Sequence, residues 1–238
     1  MGAGTLLARL AQDPPRAALL LDVDGTLAPI APRPHEAVVP EATRRELERL
    51  ARRYGLVACI SGRTGEDAAR VVGAAGVRYV GEHGLELDPA APRWAQVLAD
   101  FARSVDWEAE PGKRLTLAFH YRTARDPKGA LDYLSTVAAR AREAGLRPRF
   151  GRMVLEVRPP VDADKGTAVR RLVEEAGLRR ALYAGDDATD LDAFRALDGL
   201  ELAVRIAVAS EEGPPELGRA ADLVVADPSR LADLLRRL

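Results

Sequence analysis

The sequence predicts an α/β protein, with a doubly wound core on a parallel sheet and an inserted α+β domain. Two observations predict the core. Short apolar runs alternate with segments of helical periodicity over 17–80, and the same alternation resumes over 164–238. A third observation predicts the insertion. Between about 85 and 160 a run of alternating polarity and two short strand-like runs appear among helices, which gives the block antiparallel character. Pro-rich stretches, Asp88 to Pro92 and Pro159-Pro160, stand at its two ends. The expected division is 1–88 with 161–238 as the core and 89–160 as the insertion.

Each element follows from its pattern. Ala17–Val23 is apolar until its end and reads as a strand buried on both faces. Pro40–Arg53 follows as a helix, with apolar residues at Leu47, Leu50 and Ala51. Leu56–Ile60 is the second strand, Glu66–Gly73 a helix and Val77–Val80 the third strand. In the insertion, a helix over Trp94–Glu108 precedes an alternating strand over Leu115–Tyr121. A helix over Lys128–Ala144 follows, then strand-like runs at Arg147–Phe150 and Met153–Val157. The core resumes with a helix over Asp164–Ala176 and a strand over Ala181–Ala184. A helix over Ala188–Leu197, strands over Leu202–Ala209 and Leu223–Val225, and a last helix over Pro228–Leu238 complete it.

Composition narrows the classes. The 238 residues are 47% apolar and 30% charged, enough for a sizeable core. Lys+Arg number 35 against 36 Asp+Glu, so the net charge of −1 leaves no electrostatic footprint for nucleic acid or a membrane surface. No apolar run is long enough to span a bilayer, and the N-terminus lacks the pattern of a signal peptide. Cys59 is the single cysteine and lies in an apolar run, so it reads as a small core residue in a reducing, cytoplasmic setting. Only three lysines occur: Lys113, Lys128 and Lys165. Where nearly every cation is Arg, a retained lysine points to a place that needs a compact ammonium or to chance, and Lys128 reads as chance.

The chemistry gathers where strands end. Asp22-Val-Asp-Gly-Thr26 closes the first strand, at the carboxyl edge where open α/β sheets bind ligands. Asp22 can attack an electrophile, Asp24 can move a proton at the same centre, Gly25 permits a tight turn, and Thr26 offers a hydroxyl. Ser61-Gly62-Arg63 follows the second strand and opens a helix, which suits a phosphate and equally an ordinary Ser N-cap. Lys165 opens a helix, an electrostatically poor place for a cation unless an anion holds it. Gly185-Asp-Asp-Ala-Thr-Asp190 follows another strand. Its carboxylates could cap the next helix; beside Asp22 and Asp24 they look like a hard-metal site. Two unpaired carboxylates about 4 Å apart repel by about 4 kcal/mol at an effective dielectric of 20, so such a cluster calls for a cation.

These segments resemble, in order, the four motifs of the haloacid dehalogenase (HAD) superfamily of phosphatases. More narrowly the chain resembles trehalose-6-phosphate phosphatases. The supporting segments are Gly81-Glu-His-Gly84, Phe119-His-Tyr-Arg122, Leu155-Glu-Val-Arg-Pro159, Asp164-Lys-Gly166 and the Gly185–Asp190 run. Leu191-Asp192-Ala193 departs from the family, which more often shows an acidic residue and a Met there. The resemblance implies a HAD-like core with a C2-type α+β cap that sets specificity. It implies a Mg²⁺-dependent enzyme that hydrolyses trehalose 6-phosphate to trehalose and phosphate; a monomer is expected, in the cytoplasm that the cysteine usage suggests. In this reading Asp22 is the nucleophile and Asp24 the acid/base, while Ser61 and Lys165 hold the phosphoryl group. Mg²⁺ sits on Asp22, the Asp24 carbonyl and Asp186, with Asp187 and Asp190 orienting water or Lys165.

Substrate recognition is expected from Gly25, Arg63, His83, Lys113, His120, Arg152 and Glu156, with Arg122 and Arg158 as further candidates in the cap. For Arg122 and Arg158 a solvated strand face fits as well, and His83 fits a structural role in its loop. Other readings stay open: a phosphatase of sucrose 6-phosphate or glucosylglycerol phosphate, or an inactive HAD-like regulatory module. A receiver-type signalling domain uses a similar acidic cluster, but it is much shorter and has no cap.

Overall fold

The computed structural model describes residues 3–31, 33–151, 153–210 and 213–238. Two compact units emerge: Met1–Gly84 with Ala163–Leu238, and Leu85–Asp162.

The first unit is built on a six-stranded parallel sheet. Its strands are β1 (Ala17–Leu21), β2 (Leu56–Ile60), β3 (Arg78–Val80), β7 (Arg180–Gly185), β8 (Leu202–Val208) and β9 (Leu223–Val225). They run in the order β3-β2-β1-β7-β8-β9, every pair parallel. The order reverses at β1, whose neighbours are β2 and β7. In a doubly wound sheet that reversal opens a crevice beyond the carboxyl ends of the central strands. Register brings three of the motifs there. Leu21 lies opposite Cys59 and Ala184, so Asp22, Ser61 and Asp186 all emerge within two residues of one level.

β1 is fully buried along its length because both of its faces are covered. Ala17, Leu19 and Leu21 join Leu10 of α1 (Ala3–Ala11), Leu47 and Leu50 of α2 (Glu41–Ala51), and Leu231 of α9 (Pro228–Leu235) in one core cluster. α3 (Gly65–Val72) adds Ala68, Val71 and Val72. Ala18, Leu20 and Tyr183 have the alternate parity and are equally buried. α6 (Lys165–Glu175) packs on α7 (Asp190–Ala196), and the two reach β2 and β7. The Tyr183 ring meets Phe194 of α7 edge-on.

The second unit is a two-layer α/β block. Its sheet is antiparallel, in the order β4 (Leu117–His120), β6 (Val154–Arg158), β5 (Arg147–Gly151). α4 (Ala95–Arg103) and α5 (Pro127–Glu143) supply Leu98, Phe101, Leu134 and Val137 to a core shared with Leu117, Phe119, Leu155 and Val157. Along β6 burial alternates, so Val154, Glu156 and Arg158 lie on the face away from that core.

Departures from the sequence reading are local. α4 stops at Arg103 rather than Glu108, because the Ser104 hydroxyl bonds back to the Phe101 carbonyl at 2.7 Å and the chain turns inward at buried Val105. Two helices go unread in the sequence, α1 and α8 (Pro215–Ala220). α8 is a short helix whose only fully buried apolar residue is Leu217, too little for a periodicity to show.

Candidate active site

Three carboxylates, Asp22, Asp186 and Asp190, and one ammonium meet at the carboxyl edge of β1 and β7, and geometry sorts their roles. Lys165 opens α6, and its Nζ donates to Asp22 Oδ1 and Asp190 Oδ1, each at 2.7 Å. The anions that hold this lysine against the helix dipole are therefore protein carboxylates. Asp164 caps the same helix, with its side chain and that of Thr167 forming a capping box. Lys165 is 3% exposed and Asp22 4%. Burial opposes the Lys165 charge, but Asp190 and Asp22 outweigh it and hold the ammonium on. At Asp22 burial dominates and pushes the pKa well up, opposed by Lys165 and assisted by Asp190 and Asp186.

Asp190 is completely buried and its oxygens are filled. Oδ1 accepts from Lys165 and from the Tyr183 hydroxyl at 2.7 Å; Oδ2 accepts from the backbone N–H groups of Asp186 and Asp187, both at 2.9 Å. Four donors occupy its four lone-pair directions. Tyr183 is thus a working part of the site that sequence reading missed. The only signal was a phenol in a strand of small residues two positions before Gly185.

Asp186 is 6% exposed and accepts from the Thr26 hydroxyl at 3.1 Å. Thr26 also stands 3.4 Å from Asp22 Oδ2, but it has one proton and the shorter contact takes it. Burial first, then the Asp190 charge, push Asp186 up to about 7. Gly25 lies against this carboxylate: at φ +83° a Cβ there would come within 2.1 Å of Asp186 Oδ2. Only glycine fits both the backbone and the space.

One carboxylate oxygen from each of Asp22, Asp186 and Asp190 falls within 4.8 Å of the others. All the donors are hard oxygens, which suit a divalent cation such as Mg²⁺. Asp190 is already saturated by protein donors, so Asp22 and Asp186 are the pair with lone pairs to give. Asp187 is exposed, and its Oδ1 accepts from the Ala188 N–H at 2.6 Å, so its side chain folds onto its own loop rather than onto Lys165.

Asp24 faces elsewhere. Both of its oxygens accept from Arg63, Oδ2 from Nε and Oδ1 from Nη2, each at 2.7 Å. The sequence reading placed Arg63 with the substrate; the structure commits its guanidinium to Asp24, to Asp67 and to the Pro34 carbonyl. Ser61 is buried, and its hydroxyl accepts from the Arg63 N–H at 3.2 Å.

The loop after β3 closes over this one. The His83 N–H donates to the Ser61 carbonyl at 2.9 Å and the Glu82 N–H to the Arg63 carbonyl at 2.7 Å. Glu82, His83 and Gly84 all take positive φ, a strained run of a kind that concentrates at functional sites. The His83 ring packs so tightly on Gly62 that a Cβ there would lie 2.7 Å from Nε2. Glu82 is 2% exposed, and the sequence reading did not single it out as a site residue. A charged residue between two glycines was the available signal.

The remaining candidates lie in the second unit. Lys113 pairs with Glu110 at 3.1 Å, and His120 Nε2 reaches the same Glu110 oxygen at 3.0 Å. Glu156 stands between Ala118 and Arg149 in the sheet, on the face away from the helices. Arg122 is exposed, Arg158 is half-buried, and Arg152 lies outside the described residues.

Comparison with known proteins places the chain. The family model for trehalose-phosphatase matches residues 20–110 and 109–229. The trehalose-phosphate phosphatase of Mycobacterium marinum is 34% identical over 248 residues, which cover 94% of this chain and 62% of that protein. The chain thus spans about three-fifths of the length of the curated relatives it matches first. A crystal structure of a trehalose-6-phosphate phosphatase related protein aligns with a TM-score of 0.72 at 26% identity, covering 92% of this chain and 96% of the other. A haloacid dehalogenase-like hydrolase from Bacteroides thetaiotaomicron, 16% identical, shares the fold at a TM-score of 0.63 over 93% and 98% of the two chains. The order of the four motifs, the acidic cluster they build and a family match from residue 20 to residue 229 agree: the chain belongs to the trehalose-phosphatase family and shares its fold with a haloacid dehalogenase-like hydrolase.

Proposed function

We propose that this chain hydrolyses trehalose 6-phosphate to trehalose and phosphate through a phosphoenzyme formed on Asp22. The observation that carries the reading is the Asp22–Lys165–Asp190 chain at the carboxyl edge of β1, within a family match that covers nearly the whole sequence. Phosphoryl transfer asks for little covalent chemistry and much positioning and charge stabilisation. A nucleophile fixed by a buried ammonium beside a hard-oxygen cluster supplies both.

In this mechanism the Asp22 carboxylate attacks phosphorus in line and the sugar oxygen leaves. Asp24 gives that oxygen a proton, then takes one from the water that attacks the aspartyl phosphate. Lys165 and the Ser61 hydroxyl hold the phosphoryl oxygens, whose negative charge spreads in the transition state. Asp190 does not react; with Tyr183 and two backbone N–H groups it fixes where the Lys165 ammonium points. Asp22, Asp186 and the Asp24 carbonyl would hold Mg²⁺, which supplies charge neutralisation between nucleophile and phosphate.

We assign the reading of the sugar to the inserted unit, with Glu156 and Arg152 as the leading residues and Lys113 and His120 beside them. Glu156 and His120 share one face of the antiparallel sheet, and Lys113 reaches the same Glu110 oxygen as His120, which supports it. A buried Cys59 with no disulfide partner supports a reducing, cytoplasmic setting, and no helix among the described residues is long and apolar enough to cross a membrane. We take the working species to be a monomer.

Phosphate release across a panel of sugar phosphates, with and without Mg²⁺, tests the reading. Trehalose 6-phosphate should show the highest kcat/KM of the panel, and only with the cation. A higher value for sucrose 6-phosphate or glucosylglycerol phosphate replaces the substrate, and no turnover of any member overturns the enzyme reading.

A further inference from the structure

Arg63 is a buried cation whose donors are nearly all accounted for. A guanidinium carries five N–H donors in a fixed fork. Nε and Nη2 grip both Asp24 oxygens at 2.7 Å; Nη2 also donates to the Pro34 carbonyl at 2.7 Å, and Nη1 to Asp67 Oδ2 at 2.6 Å. Four of the five are committed, which leaves a phosphoryl group at most one. The side chain is 7% exposed, while Asp24 is 35% exposed, so the pair presents the carboxylate and hides the guanidinium.

The anchoring continues on the far side. Asp67 lies one turn into α3, where its N–H donates to the Thr64 cap at 3.1 Å. Burial works against its charge, but bonds from Arg63 and Arg70 outweigh it and hold its pKa below the usual carboxylate range. The Arg63 backbone is tied at both ends, by its N–H to Ser61 Oγ and by its carbonyl to the Glu82 N–H. A bidentate guanidinium fixed at its root, its tip and its flank is a template for the carboxylate it holds.

We propose that Arg63 is a positioning residue for Asp24 rather than a ligand of the substrate's phosphoryl group, and that Asp67 acts through Arg63 to keep that template in place. The proposal rests on Asp24 being the acid/base of the reaction above. Arg63 fixes where the Asp24 carboxyl stands relative to the departing oxygen. In the first step, the transfer to Asp22, that placement matters when the leaving group is a sugar alkoxide, which needs a proton, and matters little when it is a nitrophenolate, which leaves without one; the later attack of water on the aspartyl phosphate is common to both substrates. A phosphoryl ligand, by contrast, would serve every substrate alike, since all share the phosphoryl group.

Single-turnover and steady-state kinetics of Arg63→Gln, Asp67→Asn, Asp67→Glu and the Arg63→Gln/Asp67→Asn double variant, on trehalose 6-phosphate and on p-nitrophenyl phosphate, separate the two roles. Arg63→Gln should slow release of the leaving group in the first turnover roughly a hundredfold on the sugar phosphate, the usual worth of a positioned acid/base, with a loss on the aryl phosphate at least tenfold smaller; steady-state kcat, which includes the shared water step, should fall on both. KM and inhibition by inorganic phosphate should stay within about threefold, as expected when ground-state binding is untouched. Asp67→Asn should show the same pattern at smaller size, Asp67→Glu should restore most of it, and the double variant should be no worse than Arg63→Gln alone. Should Arg63→Gln fail to fold, the Asp67 pair carries the same comparison. Equal losses on both substrates in that first-turnover release, with phosphate inhibition weakened tenfold or more, make Arg63 a phosphoryl ligand and overturn the proposal. If the unaltered chain cleaves simple alkyl and aryl phosphates but not trehalose 6-phosphate, the proposed substrate falls alone, and the comparison is made on the alkyl phosphate.

Discussion

The Lys165 ammonium lies 2.7 Å from Asp22 Oδ1, with both side chains almost wholly buried. A pair so far from water is held by mutual attraction against a large desolvation cost, and removing one partner strands the other. Lys165→Met should therefore cost about 3–5 kcal/mol of stability when no metal is added. It should also abolish turnover. Urea denaturation of the metal-free variant measures the first effect. A loss below 1 kcal/mol would mean that Asp22 and Asp190 find other compensation, and the pair's structural role would go.

Asp22→Asn keeps the size of the proposed nucleophile and removes its charge. Turnover should drop to background, while sugar phosphate still binds, because the other phosphoryl contacts remain. The amide also relieves the repulsion with Asp186 and Asp190. A binding titration beside the rate assay checks both halves; turnover above a few per cent of the unaltered chain would move the nucleophile elsewhere.

The acidic cluster predicts a stability that depends on metal and pH together. Asp186 is pushed up to about 7, first by burial and then by Asp190. A carboxylate whose folded pKa exceeds its unfolded value favours the folded state while protonated. Its contribution is present below the unfolded pKa and is lost as pH rises toward 7. A cation reverses that loss by binding the deprotonated form. Adding Mg²⁺ should raise Tm strongly at pH 8 and little at pH 5.5, and chelation should undo it. A gain of equal size at both pH values would take Asp186 out of the metal site.

How much of this was legible without the fold differs from residue to residue. Asp22, Asp186 and Lys165 could be named because each sits where an apolar run ends or a helix begins, and strand ends gather in a parallel sheet. Their pairing was not legible: Lys165 is 143 positions from Asp22, and only the β1–β7 register and the start of α6 bring them together. Arg63 shows the limit more sharply. Ser-Gly-Arg before a helix suits a phosphate, yet the guanidinium turns to Asp24 across 39 positions. Tyr183 stayed hidden because a phenol inside a strand carries no sign of whether its hydroxyl has a partner. α1 and α8 were missed because one lies at the very start of the chain and the other is six residues long.

The inserted unit yields the prediction that separates sugar recognition from phosphoryl chemistry. Glu156 sits at the middle of β6, opposite Ala118 and Arg149, on the face its two helices leave uncovered. Leu155 and Val157 supply the strand's buried side. If Glu156 hydrogen-bonds the sugar, each bond to its charge is worth about 1.5–3 kcal/mol. Glu156→Ala should then lower kcat/KM for trehalose 6-phosphate by roughly ten- to a hundredfold or more. An aryl phosphate has no sugar hydroxyls to lose, and its hydrolysis should change by less than about twofold. Parallel assays on the two substrates, with Tm recorded for each protein, decide the matter. Equal losses on both would assign Glu156 to the fold or to the catalytic centre, and the sugar-reading role of this strand would have to be withdrawn.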